Sequence, residues 1–355
     1  MSHKTYSTSG LKSTWPMLKL KKLLIISLLI IPNQDGMAQN NFPTLGTILI
    51  EDPTLQQFLD PQAKVEVLAS GFKWSEGPVW VKDGGYLLFS DVPANTIYRW
   101  SAQDGLSHFL SPSGYTGLGT YSDEPGSNGL IINREGELIA CEHGDRRLSS
   151  MSLTVGGKTT LADRYQGKRF NSPNDVVQHS SGSYYFTDPP YGLAQKHKDP
   201  SRETPIFGVY RVNPAGQVSV VIKDLNRPNG LAFSPDESHL YVAQSDPEAA
   251  KWMAYPVKPN GELGIGKIIL DATPALKSNA LKGLPDGLKV DRAGNLWASG
   301  PGGLWIISPQ GKLLGRIDLG ELTSNCAWGD DGSVLYLTVN GYLCRIQTRT
   351  RGAGW

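Results

Sequence analysis

Six short turns in this chain carry an oxygen-bearing side chain at the same place. They are Glu76 in Glu76-Gly77-Pro78-Val79-Trp80, Asn128 in Ser127-Asn128-Gly129-Leu130 and Asn174 in Pro173-Asn174-Asp175-Val176. Asn229 in Pro228-Asn229-Gly230-Leu231, Asp286 in Pro285-Asp286-Gly287-Leu288 and Asn325 in Ser324-Asn325-Cys326-Ala327 complete the set. None of the six positions holds Lys, Arg, His or Cys. Carboxylates and amides without nitrogen or sulfur donors suit a hard cation. Calcium fits best, because it accepts loose geometry and neutral carbonyl ligands. Asn or Asp before Gly is also a common turn former, and for Asn128 and Asn325 taken alone the turn role is a sufficient account.

The residues after each turn explain how the six could meet. Each turn leads into a short apolar strand, then a Gly or Asp turn, then a second strand. Those second strands read YLLFSD, ELIACE, SYYFTD, HLYVAQ, NLWASG and VLYLTV. Third strands follow in several copies: TIYRW, GVYRV, GLWII and YLCRI. The repeats are irregularly spaced, mostly near the roughly forty to fifty residues of a four-stranded propeller blade. Short strands rich in Val, Ile, Tyr and Trp between turn clusters are β throughout. The expected architecture is an all-β six-bladed propeller with four-stranded blades and a central channel. The innermost strand of each blade lines that channel, so the six turn residues sit at its mouth. Val65-Glu66-Val67-Leu68 alternates as a strand ahead of the first repeat, and closes the ring by joining the last blade near Tyr342 to Ile346.

The same segments carry a family resemblance. Ser75-Glu76-Gly77-Pro78-Val79-Trp80, Asn171-Ser172-Pro173-Asn174-Asp175, Phe186-Thr187-Asp188-Pro189-Pro190-Tyr191-Gly192, Pro228-Asn229-Gly230-Leu231-Ala232-Phe233-Ser234 and Pro285-Asp286-Gly287 are similar to a family that includes gluconolactonase, senescence marker protein (regucalcin) and diisopropyl fluorophosphatase, in its gluconolactonase branch. The similarity runs from about Val65 to Ile346. It implies a six-bladed propeller whose channel holds one catalytic divalent cation on a Glu, two Asn and an Asp. Carried over by motif, these are Glu76, Asn174, Asn229 and Asp286. The implied cation is calcium, with zinc, manganese or magnesium as substitutes, and the implied substrate is a sugar lactone. A cation in the channel polarises the lactone carbonyl and stabilises the oxyanion formed when water attacks. Calcium acidifies water weakly, so a general base is needed, and Asp286 is the candidate. A nucleophilic role for Asp286, or a role as ligand only, stays open.

Other residues are candidates for substrate binding. Asn128 is one of the turn residues. His143 and Arg147, with Arg146, follow the ELIACE strand on a loop that would overhang the mouth. Arg169 precedes Asn171 and offers a partner for hydroxyls or a carboxylate. Asp188 belongs to the Thr-Asp-Pro motif and would orient groups around the site, and Tyr191 would line the channel. Two other functions compete with lactone hydrolysis. One is a non-catalytic propeller binding a sugar or peptide, and the other is a hydrolase of phosphotriesters or other esters.

Several chemistries are disfavoured. No Gly-x-Ser-x-Gly elbow and no His-Glu-x-x-His occur. Gly156-Gly157-Lys158-Thr159 resembles the tail of a phosphate loop, but Ser152 stands where the first Gly is required, so it reads as a hairpin. Charge is balanced, 34 basic against 33 acidic residues, which argues against a nucleic-acid footprint. Gly at 40 and Pro at 24 suit many tight turns. Cys141, Cys326 and Cys344 are too few for a disulfide framework and read as small buried side chains, with a Cys326–Cys344 pairing as the alternative.

The N-terminus has the order of a secretory signal. Lys19, Lys21 and Lys22 precede the apolar run Leu23 to Ile31, and Gly36-Met37-Ala38 offers small residues for cleavage. The run is about half the ~20 residues of a membrane span. The expected organisation is a signal over 1–38, a lead-in over 39–64, the propeller over 65–348 and a tail over 349–355. That implies a periplasmic or secreted protein with no stable membrane insertion after cleavage.

Overall fold

A computed structural model of the chain describes His3, residues 42–278 and residues 281–355. The secretory-signal reading falls outside the described residues. Among the described residues no helix is long and apolar enough to cross a membrane.

Six antiparallel sheets form the blades along the chain, and a separate two-stranded ribbon, Arg164–Tyr165 with Lys168–Arg169, lies between the second and third. Blade one is Ser75–Val81, Tyr86–Asp91, Thr96–Ser101 and Gly105–Leu110. Blade two is Ser127–Ile132, Glu137–Glu142, Arg147–Ser152 and Gly156–Ala162. Blade three is Val176–Gln178, Tyr184–Thr187, Val209–Val212 and Val218–Ile222. Blade four is Pro228–Phe233, His239–Gln244, Lys251–Pro256 and Lys267–Asp271. Blade five is Leu288–Val290, Leu296–Gly300, Gly303–Ile307 and Leu313–Asp318, and blade six begins with Thr323–Gly329, Val334–Val339 and Tyr342–Gln347. The fourth strand of blade six is Val65–Ser70, paired with Tyr342–Gln347 through Tyr342↔Ser70 and Arg345↔Glu66. The ring closes as the alternation at Val65 to Leu68 suggested.

The blades are held together by what lies between them. Each of the six apolar clusters straddles one pair of neighbouring blades. Leu87 and Phe89 face blade six, while Leu88 between them faces blade two. Trp297 packs toward blade six, while Leu296 and Ala298 pack toward blade four. Side chains alternate across a strand, so a strand buried on both faces needs a continuous apolar run. That is why the second strands read YLLF, LYV and LYL with little polar alternation.

The lead-in is more tightly built than its composition suggests. Thr44–Leu45 adds a strand beside Val65–Ser70, and Thr47–Ile50 adds a fifth strand to blade five. Between them and the ring lies a 3-10 turn, Pro53–Gln57. Asp52 caps it by accepting from the Thr54 N–H at 2.8 Å. Its Leu55, with Leu59 just beyond, is buried among Trp297, Leu304 and Leu335. The tail is likewise docked: Arg349 N donates to Phe58 O at 2.8 Å and Ala353 N to Val290 O at 2.9 Å. All three cysteines are free and buried, and the Cys326 thiol lies 3.3 Å from the Trp297 carbonyl, which corrects the pairing alternative.

Candidate functional site

The repeat at the turns has a steric cause as well as a chemical one. A Cβ on Gly77 would overlap the Asn128 carbonyl, and one on Gly287 would overlap the Asn325 side chain. Gly129 and Gly230 face the turns at Asn174 and Asp286 in the same way. Inner strands of neighbouring blades therefore press together, and at these four glycines the residue after the turn must be small. The contact also carries hydrogen bonds: Gly129 N donates to Asn174 O and Gly287 N to Ser324 O, both at 2.7 Å.

A second belt of hydroxyls pegs the turns, some within a blade and some across to the next. Ser90 Oγ donates to Asn128 O at 2.9 Å, Thr338 Oγ1 to Asn325 O at 3.2 Å, and Ser299 Oγ to both Gly287 O and Ser324 O at 2.9 Å. Ser245 Oγ donates to Pro285 O and accepts from Asn229 Nδ2. These hydroxyls sit near the ends of the second strands, where FSD, FTD, ASG and LTV repeat a small hydroxyl. That signal was in the sequence and went unread. The acidic residue after it also has a fixed task. Asp91 accepts from Lys73 N and Trp74 N, at 3.0 and 3.2 Å. Asp188 accepts from Asn171 N and Ser172 N, both at 2.8 Å, and from Asn171 Nδ2 at 3.0 Å. Each carboxyl thus holds the backbone just ahead of a turn residue.

Five of the six turn residues line one cavity of about 230 Å3: Glu76, Asn128, Asn174, Asn229 and Asp286. Asn325 does not. Its Nδ2 supports Glu76 Oε2 at 3.3 Å, while its Oδ1 accepts from Cys326 N at 2.9 Å and from Lys289 Nζ at 3.4 Å. Tyr191 lines the cavity as expected, and its buried hydroxyl, beside Ser245, has no hydrogen-bond partner among the described residues. Trp74, Glu124, Leu284 and Leu322 also line it and were not anticipated. They come from loops outside the repeat, where periodicity gives no signal.

Four of the expected substrate contacts lie outside the lining. Asp188 is wholly buried under the Asn171–Ser172 backbone. Arg147 pairs with Glu142 at 2.6 Å and donates to Thr160 Oγ1 at 2.9 Å. Arg169 donates to Asp145 O at 3.0 Å. His143 is fully buried behind the mouth, its Nδ1 donating to Glu124 O at 3.2 Å. The loop expected to overhang the site instead props the segment that carries Glu124.

Burial pushes the His143 imidazole down to about 3, far below the ordinary histidine range. The folded protein therefore keeps it neutral, while the unfolded chain protonates it below about 6.5. The unfolded state binds the extra proton between those values, so stability falls as pH drops from 6.5 toward 3. From pH 6.5 to 5 this single group should remove about 2 kcal/mol. Urea melts at the two pH values test it. His143→Gln should flatten the dependence by that amount, and parallel curves for the two proteins would exclude it.

The cavity's charges are one-sided. Burial pushes Glu76 up to about 8, against the Gly77 N–H that donates to its Oε2 at 2.9 Å. Asp286 is pushed well above the usual range, first by burial and then by the Glu76 charge, with the Asn229 amide opposing. No Lys, Arg or His side chain lines the cavity. Two carboxyls and three amides without a protein counter-charge form a nest that a hard cation would neutralise. Among the described residues there is no cluster of three or more His, Cys, Asp or Glu side chains placed for a metal, so here amide oxygens would complete the set. The donors present fit calcium and suit a thiophilic metal poorly.

Residues 74–341 match the SMP-30/Gluconolactonase/LRE-like region. The chain is 40% identical to the gluconolactonase of Zymomonas mobilis, over 89% of this chain and 90% of that protein. A solved gluconolactonase from Xanthomonas campestris superposes with a TM-score of 0.73 at 30% identity, over 86% of this chain and 97% of that one. Regucalcin from Agrobacterium tumefaciens, described as a calcium-binding protein, shares the fold with a TM-score of 0.64 at 19% identity, over 81% and 94%. With three quarters of its length matched, and the repeated turns falling inside the match, the chain belongs to the SMP-30/gluconolactonase/LRE-like family.

Proposed function

We propose that this protein is a metal-dependent hydrolase of aldonolactones, with Asp286 as general base. One observation carries the reading: two buried carboxyls and three amides from five successive blades meet in one small cavity that no protein cation neutralises. The likeness to gluconolactonases over nearly the whole chain supports the substrate class. Glu76, Asn174, Asn229 and Asp286 would hold the cation, with calcium the best fit to the donors.

A bound calcium supplies Lewis-acid polarisation of the carbonyl and stabilises oxyanion charge. The side chains divide the remaining work. Glu76 is locked by Gly77 N–H and Asn325 Nδ2, both on Oε2, so its Oε1 is free to act as a ligand. Asn229 is oriented by donating Nδ2 to Ser245 Oγ at 2.9 Å, which leaves its Oδ1 for the cavity. Asp286 is less completely covered than Glu76 and opens on the cavity. A ligand carboxylate keeps a second oxygen, which would take a proton from the attacking water. Burial pushes the Tyr191 phenol up, so it stays protonated and can donate to the departing ring oxygen. Trp74, Leu284 and Leu322 give the cavity an apolar wall that limits water.

A pH-indicator assay over a panel of aldonolactones, simple esters and phosphotriesters tests the reading. Lactone hydrolysis should depend on added calcium and vanish in chelator. Undiminished hydrolysis in chelator would sink the metal, and turnover of phosphotriesters alone would sink the substrate class.

A further inference from the structure

The lining of the cavity divides into two chemistries. Trp74, Leu284 and Leu322 are apolar, whereas Glu124, Asn128 and Tyr191 offer hydrogen bonds beside the carboxyls of Glu76 and Asp286. At about 230 Å3 it is smaller than the roughly 300–1,000 Å3 of drug-sized sites, so it takes one small ring. A polyhydroxylated ring matches that division, with C–H groups against the indole and hydroxyls toward the polar side.

Glu124 is the one charged lining residue that stands outside the six-turn set. Its backbone is pinned from below. Its carbonyl takes the His143 Nδ1 proton at 3.2 Å, and the next two carbonyls, of Pro125 and Gly126, accept from Gly144 N and His143 N at 3.1 Å. The side chain remains about one-third exposed at the mouth. Lys196 Nζ lies 3.7 Å from its Oε1, but that ammonium also donates to Tyr191 O at 2.6 Å. Lys196 thus divides its contacts between Glu124 and the Tyr191 carbonyl, and of the pair only Glu124 lines the cavity.

We propose that Glu124 fixes the substrate class of this cavity as uncharged polyhydroxy lactones. Its carboxylate accepts a hydrogen bond from a substrate hydroxyl and repels lactones bearing phosphate or carboxylate. The proposal rests on the lactone-hydrolase reading. Its physical basis is that an anionic substituent at the mouth meets the Glu124 carboxylate, which stands apart from the pair that would hold the cation, and finds no lining Lys, Arg or His to pair with. Removing the Glu124 charge also releases Lys196 from one of its two partners, which turns the mouth from acidic toward basic.

The test compares kcat/KM for glucono-1,5-lactone and its 6-phosphate in calcium-loaded wild type, Glu124→Gln and Glu124→Lys. Wild type should strongly prefer the uncharged lactone. Glu124→Gln should raise the phosphate-to-neutral ratio about tenfold, and Glu124→Lys further, as expected for one charge near a partly screened site. KM for the neutral lactone should rise in both variants as the hydroxyl contact weakens. Thermal melting checks the bulkier Lys variant, and the near-isosteric Gln variant carries the decision if Lys perturbs the loop. A ratio unchanged in Glu124→Gln, with the neutral lactone still hydrolysed, overturns the proposal and leaves the lactonase reading intact. A wild type that hydrolyses neither lactone overturns both.

Discussion

Asp286→Asn should stay nearly inactive even in excess calcium, whereas Glu76→Gln should recover part of its activity under the same conditions. Each substitution removes one of the two turn carboxyls from the cavity, where the Glu76 charge pushes Asp286 up. Both should therefore weaken calcium binding, seen by calorimetry, more than Asn174→Asp does. They differ in what remains. In Glu76→Gln a single amide oxygen can accept from both Gly77 N and Asn325 Nδ2, because both bonds already go to Oε2. The scaffold survives, and mass action can refill the site. In Asp286→Asn the proposed base is gone, and general-base catalysis contributes about 10²–10⁴-fold. Equal rescue of the two variants by calcium would show that Asp286 is a ligand and nothing more.

Gly77→Ala should be among the most damaging single-methyl changes in the protein. Gly77 has φ of 50°, in the left-handed region, and its added Cβ would overlap the Asn128 carbonyl. That carbonyl cannot easily retreat, because Ser90 Oγ holds it at 2.9 Å. Backbone strain and overpacking together should cost about 3 kcal/mol or more. Gly85→Ala is the control. Its φ of 62° is equally left-handed, but the added Cβ meets nothing within 4 Å, so only about 1 kcal/mol is expected. Chemical denaturation of the two variants compares them directly. The Gly77 variant should also bind calcium more weakly, since Glu76 and Asn128 flank the clash. Equal losses at the two glycines would mean that the blades do not press together at the axis.

The propeller was legible because its residues repeat for two separate reasons that coincide. Turn oxygens recur at Glu76, Asn128, Asn174, Asn229 and Asp286, and the small residue after most of them recurs because the next blade leaves no room. Asn325 follows the same pattern yet turns its amino group toward Glu76, a difference of side-chain direction that no spacing reveals. Asp188 was read toward the substrate, but its counterpart Asp91 performs the same backbone task in blade one. Comparing those two copies would have placed it. Trp74, Glu124, Leu284 and Leu322 stand outside the repeat, on loops whose paths depend on tertiary contacts such as His143 with Glu124 O. The outer strands at Thr44–Leu45 and Thr47–Ile50 are too short to announce a partner, and they are defined only by the edges they cover.

The pairing of Val65–Ser70 with Tyr342–Gln347 also bears on when the protein becomes an enzyme. Glu66 and Arg345 form an ion pair at 2.7 Å across 279 positions of sequence. Closing a flexible loop of that length costs about 5 kcal/mol in chain entropy. Five blades can therefore form from local contacts as the polypeptide emerges, but the sixth must wait for the end of synthesis to meet the beginning. Glu76 lies just inside that seam on one side and its support, Asn325, on the other. A chain still lacking its last blade would carry the five turn side chains that line the cavity without the Asn325 that supports Glu76, so the site is completed last, in the same step that locks the circle.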